Sequence, residues 1–215
     1  MALKIETPPP VTPVTLEEAQ RQARGVLLGQ DDPEAGLWSD IWIPAATARA
    51  ESFQSRSYIT TEYRLTIDWC WPQAICLPRA PVQSIDAITY VDQDGVTQTL
   101  DPAEYQFDLN AEPVYIRPAW GKSWPAVRSQ LAAVQVLFTA GYGDTASDVP
   151  ARARAAILIM AASLYEFREE VVVGTITGTM PKSAENLLWP DRLFPPGHKY
   201  GYELTAADLY PYLVR

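Results

Sequence analysis

DVPARARAAILIMAASLYEFREEVV, residues Asp148 to Val172, is the stretch whose reading decides the fold. Ile157, Met160, Ala161, Leu164 and Phe167 or Arg168 recur at three-and-four spacing, which puts an apolar stripe on one helix face. Asp148 reads as a cap for the free amides, Pro150 suits a first turn, and Gly174 stands just past the last periodic residues. Each large apolar side chain on the stripe gains roughly 1.5–3 kcal/mol on full burial. A stripe of this size needs partner helices, and the other convincing helical patterns lie near the N-terminus. The first and last thirds of the chain are therefore expected to meet, with the middle looping out.

Working outward on the N-terminal side, residues 1–13 are proline-rich and read as an extended lead. Thr15-Leu16-Glu17-Glu18 matches a capping box, and a helix to about Leu28 is expected, with Leu16, Ala19, Ala23, Val26 and Leu27 inward and Gly29 as its stop. In LWSDIWIPAATARAESFQSRS, Pro44 predicts either a kink or a main helix beginning at that residue. From Tyr58 the apolar period changes to two, through Ile59, Thr61, Tyr63, Leu65, Ile67 and Trp69. Further strands are expected at Ala74–Leu77, Ile85–Val91, Val96–Leu100, Tyr105–Leu109, Val114–Arg117 and Val134–Thr139. Asp94-Gly95 marks a hairpin with a primed turn.

The expected fold class is α+β: a small helical bundle with an inserted antiparallel β-domain and an extended C-terminal arm. The divisions are a lead over 1–13, bundle helices over 14–57, the β-domain over 58–144, the long helix over 145–173 and the arm over 174–215. The arm carries Leu187, Leu188, Trp189, Leu193, Phe194, Tyr200, Tyr202, Tyr210 and Tyr212 among its prolines. Apolar anchors in a segment too broken to build its own core pack on something else, either this same chain or a neighbouring subunit or partner. These nine residues are taken as the candidate partner interface. Truncation after Val173 is then expected to leave a folded monomer that no longer assembles.

Composition narrows the function classes. The 215 residues hold 17 Lys and Arg against 26 Asp and Glu, a formal net charge of −9, which disfavours a protein that grips nucleic acid through its phosphates. No apolar run approaches the ~20 residues needed to cross a bilayer, and the opening MALKIETPPP has no signal-peptide core, so synthesis in the cytoplasm and no membrane partner are expected. Cys70 and Cys76 can be reduced structural thiols or a disulfide across a tight turn, and nothing nearby completes a zinc site.

Catalytic chemistry finds little footing. His198 is the single histidine and lies in PPGHKYG, which leaves no evident base for a Ser or Cys nucleophile. The carboxylate pairs Asp31/Asp32, Asp92/Asp94 and Glu169/Glu170 fall in a loop, a hairpin turn and a helix end, where solvated structural roles are expected. Gly141-Tyr142-Gly143-Asp144 lacks the residues that make a phosphate-binding loop. The reading is of a non-enzyme without cofactor or metal. Trp69, Trp71, Trp120 and Trp124, in or beside the β-domain, support an alternative: a carbohydrate-binding or baseplate-like module with an exposed indole platform, set against burial of those rings in a core.

VTLEEAQ from Val14, AATARAESF from Ala45, ICLPRAPVQSIDAITYVDQDGVTQTLDPAEYQFD from Ile75, AWGKSWPAVR from Ala119 and VQVLFTAGYGDTASDVPARARAAILIMAASLYEFRE from Val134 follow one another in order over most of Val14 to Glu170. In order and spacing these blocks resemble the phage head-to-tail connector (adaptor, head-completion) proteins, in the branch with a β-domain insertion. The resemblance implies a virion neck component at the head-tail junction. It implies a homo-oligomeric ring, dodecameric in the family, beneath a portal protein. It also implies a docking surface for a tail-side completion or stopper protein, and a channel through which DNA passes without specific binding. The C-terminal arm would reach towards the portal. Pro44, where the family's second helix runs smoothly, and the long tail beyond Leu188 depart from the pattern.

Overall fold

The structure is a computed structural model that describes residues 1–24, 29–68, 70–167 and 180–193. In chain order the elements are β1 (Ala2–Thr7), α1 (Leu16–Gln22), a 3₁₀ turn (Gly29–Asp31), α2 (Ala35–Leu37), a π-helical turn (Trp38–Trp42), α3 (Ile43–Gln54), β2 (Thr61–Ile67), β3 (Ile75–Cys76), β4 (Val82–Val91), β5 (Thr97–Thr99), β6 (Tyr105–Gln106), β7 (Tyr115–Pro118), β8 (Val134–Ala140), α4 (Ala151–Glu166), α5 (Lys182–Leu188) and a closing 3₁₀ turn (Trp189–Asp191). The α+β class holds. Helices from both ends of the chain share one apolar core, and the strands between them share another.

α4 is the spine of the helical layer. It packs against α1, α3 and α5. Its buried stripe is Ala153, Ala156, Ile157, Met160 and Ala161, while Leu164 and Phe167, expected inward, are 40% and 57% exposed. The row 153, 157, 161 continues at Tyr165, which stacks on Trp38 at 4.9 Å and meets Trp42 edge-on at 5.4 Å. At about 100° per residue Leu164 lies within about 20° of Ile157, so periodicity alone keeps it on the stripe; Trp38 and Trp42 instead draw Tyr165 inward from the adjoining strip. Asp148 does not cap α4. Its carboxylate accepts from the Thr145 N–H at 2.9 Å and so closes the 3₁₀ turn Ala146–Asp148, leaving Pro150 as the N-cap of α4.

The capping box at α1 forms as read, with the Glu18 N–H donating to the Thr15 hydroxyl and the Thr15 N–H donating to Glu18 Oε2. The helix ends at Gln22 rather than near Leu28, because Arg24 takes a positive φ of 57°. Residues 25–28 lie outside the described residues. Gly29 is held by the buried Gln20, whose carbonyl oxygen accepts the Gly29 N–H at 2.6 Å.

At Pro44 the main helix begins within one residue of the expected start. α3 starts at Ile43 with Pro44 in its first turn, and the chain before it stays helical through the π turn. Proline has no N–H and its ring crowds the carbonyl four residues back, so the wider i+5 turn, closed by the Ile43 N–H on the Trp38 carbonyl, carries the helix past it.

The β-domain is a five-stranded antiparallel sheet in the order β1-β2-β8-β4-β5 facing a three-stranded sheet in the order β3-β7-β6. In the large sheet Tyr63 stands opposite Phe138 and Leu65 opposite Val136, and strict alternation of buried and half-buried residues along β2 and β8 turns these side chains to the core. The N-terminal lead contains a strand that the reading of 1–13 missed: β1 pairs antiparallel with β2 from Ala2↔Thr66 to Thr7↔Glu62. Pro8, Pro9 and Pro10 end it, since none can donate to a ladder. The β4–β5 hairpin is present, but only Gly95 has φ > 0. The Gly95 N–H donates to the Asp92 carbonyl, and Asp92 Oδ1 accepts from both Asp94 and Val96, so a type I turn followed by a left-handed glycine replaces the primed turn.

Entry to and exit from the β-domain lie side by side, with Thr61 opposite Ala140 at the sheet end nearest the helices. Gly141 sits against this crossing at φ +149°, where a Cβ would come within 2.7 Å of the Ile59 backbone.

Candidate interaction site at the junction of helices and sheet

Polar side chains are buried where α3 hands over to β2, a place apolar patterning does not flag. Gln54, Arg56 and Ser57 are all less than a tenth exposed. The Arg56 guanidinium forks onto Glu112, with one contact at 3.0 Å, and its Nε donates to the Asp191 carbonyl. Such bidentate pairing satisfies a buried cation better than a point contact would. Arg79 donates to the backbone carbonyls of Glu51 and Arg56 at 2.9 and 3.1 Å. Glu51 Oε1 accepts the Tyr58 N–H, and the Tyr58 hydroxyl donates to Gln54 Oε1 at 2.7 Å. The Gln54 amide donates in turn to the Leu188 carbonyl at 2.7 Å, and the Leu193 N–H returns to the Gln54 carbonyl. One network thus ties α3, the loop before β4, the loop before β7 and the segment after α5.

Electrostatics follow burial. Desolvation raises Glu51 above the usual carboxylate value, against the lowering pull of the Tyr58 amide and Arg79. Burial raises the Tyr58 and Tyr142 phenols as well. Burial opposes the charge on Arg56, yet the hydrogen bond to Glu112 and neighbouring anions carry it upward overall. The groups are arranged as a structural clamp: every buried donor named here faces an acceptor on another segment.

The nine predicted interface residues divide. Leu188 is fully buried and Leu193 nearly so, Leu187 packs half-buried against the helical core, and Met180 and Ala184 join them. The first turns of the proposed arm are therefore part of this chain's own bundle, and Leu188 and Leu193 are not free to meet a partner. The reason is the clamp: Gln54 and Arg56 satisfy the carbonyls and amide of 188–193, fixing that segment where its leucines reach α3 and α4. Trp189 is 45% exposed, lies 6.2 Å from Phe53 and carries Arg192 over its ring. Phe194, Tyr200, Tyr202, Tyr210 and Tyr212 lie outside the described residues.

Among the described residues, the tryptophans of the β-domain do not form an open indole platform. Trp71 and Trp124 stack on each other at 4.6 Å with a 7° tilt, and each indole N–H donates to a backbone carbonyl, of Pro125 and Pro72 respectively. Trp120 stands alone at 97% exposure, and Trp69 lies outside the described residues. The junction residues Gln54, Arg56, Glu112 and Asp191 escaped the sequence reading because their partners are 56 to 135 positions away.

No protein-family model matches the chain, and no curated protein matches it. Solved structures do. The fold is similar to a chain of the virion of a native gene transfer agent particle, with TM-score 0.73 and 25% identity over 91% of this chain and 97% of that one. It is also similar to chains in the neck of an empty gene transfer agent particle computed with C6 symmetry (TM-score 0.72, 26% identity) and in the neck of a native particle computed with C12 symmetry (TM-score 0.66, 27% identity), each at the same coverage.

Proposed function

We propose that this protein is a structural component of the neck of a tailed phage or phage-like particle. There it acts as a head-to-tail connector: a ring of copies beneath a portal protein that extends the DNA channel and receives a tail-side completion protein. The observation that carries the reading is the whole-chain likeness to neck components, 97% of the neighbour's length at 26% identity. Likeness over an entire chain transfers an architectural role better than likeness of one domain does. The excess of acid over base suits a lumen that passes DNA without holding it. The clamp fixes residues 188–193 against the bundle, and the sequence after them carries Phe194 and four tyrosines.

The reading is tested by mixing purified protein with portal assemblies and imaging the product. Ring-shaped density on the portal is expected. Absence of any association, or tight binding of duplex DNA at physiological salt, would overturn it.

A further inference from the structure

Trp120 sits on a braced turn. The Lys122 N–H donates to the Ala119 carbonyl at 2.9 Å, and Gly121 supplies the positive φ of 75° that such a turn requires. The turn is tied to the neighbouring loop twice, by the Ala119 N–H on the Glu104 carbonyl at 2.9 Å and by Lys122 Nζ on the Glu104 carboxylate at 2.8 Å. A tryptophan held at 97% exposure on a fixed turn is set up as an anchor, because its backbone freedom is already restricted before it meets a partner.

The same small sheet carries a recess that suits an indole. It has a volume of about 350 Å³ and is lined by Gln106, Phe107, Asp108, Ala111, Tyr115 and Arg117. Phe107 is 41% exposed and backed by Tyr105 at 6.0 Å, and the Arg117 guanidinium lies 5.8 Å from the Tyr115 ring centroid. Aromatic faces and a guanidinium plane are the surfaces on which indole rings stack. Asp108 commits Oδ1 to Asn110, which leaves its other oxygen as an acceptor for an indole N–H among the described residues. Trp120 does not fill this recess in its own chain, since almost all of its surface is open.

We infer that Trp120 of one copy enters the Phe107–Tyr115–Arg117 recess of the next copy, forming part of the contact between neighbouring subunits of a ring. This rests on the neck reading. A ring with cyclic symmetry is built from contacts in which two different patches of one chain meet, a knob on one side and a socket on the other. β7 places both here: it supplies Tyr115 and Arg117, and Trp120 follows two residues after its end. A tail-side or portal partner for Trp120 is the competing outcome.

The test uses the full-length chain, alone and on portal assemblies. Trp120→Ala is expected to weaken association between copies about 30-fold, as loss of an aromatic hot spot does, with its melting temperature unchanged. Phe107→Ala should weaken it too, and the double variant should lose no more than the worse single one, because the two side chains form one contact. In a Cys70→Ser background, Trp120→Cys combined with Phe107→Cys should cross-link copies into a ladder. Normal association of Trp120→Ala, fully additive losses, or cross-links absent from assembled rings would overturn the inference. If Trp120→Ala enters particles as the parent does, the inference fails and the neck reading stands. If the parent itself enters none, both fail.

Discussion

Glu51, half-buried in the last turn of α3, shows how one partly desolvated group makes stability depend on pH. Desolvation raises its folded value above 4.5, so across the interval between 4.5 and that raised value the folded state binds the proton more tightly than the unfolded chain does. Stability from this group is therefore highest below that interval and falls as pH rises through it. Glu51→Gln retains an acceptor for the Tyr58 N–H but cannot ionise. Urea unfolding at a series of pH values should show the parent losing stability relative to Glu51→Gln as pH rises through the interval; parallel curves would refute the assignment. Arg56→Ala tests the other half of the clamp. Glu112, whose side chain is 37% exposed, can turn to water, which discounts the charge pair, but the Asp191 carbonyl loses its donor and the buried stem leaves a gap. A loss of about 2–3 kcal/mol is expected from denaturant melts. Neither residue was legible as a site in the sequence, because nothing local marks an Arg or Glu whose partner arrives from another third of the chain.

At the scale of elements, the sequence carries a good deal. The Thr15–Glu18 box, the strands β2 and β8 and the body of α4 all follow from short-range chemistry: caps fixed by neighbouring residues, and apolar periods of two or 3.6. The misses share a cause. β1 looks like a proline-rich lead because a six-residue edge strand has too few residues to outweigh three prolines, and only its partner β2 makes it a strand. The inward face of α4 was set one position off at its C-terminal end because Trp38 and Trp42, not periodicity, choose Tyr165. The crossing between the helical layer and the sheet gives a sharp prediction. Gly141→Ala combines a φ of +149° with a Cβ 2.6 Å from the Thr60 amide nitrogen, backbone that cannot move without shifting β2. A destabilisation of at least about 3 kcal/mol, or failure to accumulate folded protein, is expected. An alanine variant that melts with the parent would show that the crossing can relax.

At the scale of the whole molecule, the boundary between body and arm moves. Truncation after Val173 removes Met180, Ala184, Leu188 and Leu193, all buried, together with the Leu188 and Asp191 carbonyls onto which Gln54 and Arg56 donate. Such a fragment is expected to unfold or aggregate rather than remain a folded monomer, since each buried large side chain lost costs about 1.5–3 kcal/mol. Truncation after Leu193 keeps the bundle intact and is the informative cut. It should melt like the full chain yet fail to join a portal, as followed by calorimetry and co-sedimentation. A product that still joins normally would remove Phe194, Tyr200, Tyr202, Tyr210 and Tyr212 from the proposed interface.

The sequence by itself determined the α+β class, the placement of a β-domain between helices from the two chain ends, and the caps and alternation of the main elements. These depend on residues within a few positions of one another. Only the tertiary structure decided that residues 180–193 belong to the bundle, that Trp71 and Trp124 close on each other, and that Trp120 is left in the open. Burial and pairing between distant segments are properties of the packed chain, and a polar side chain is committed only once the fold brings its partner within reach.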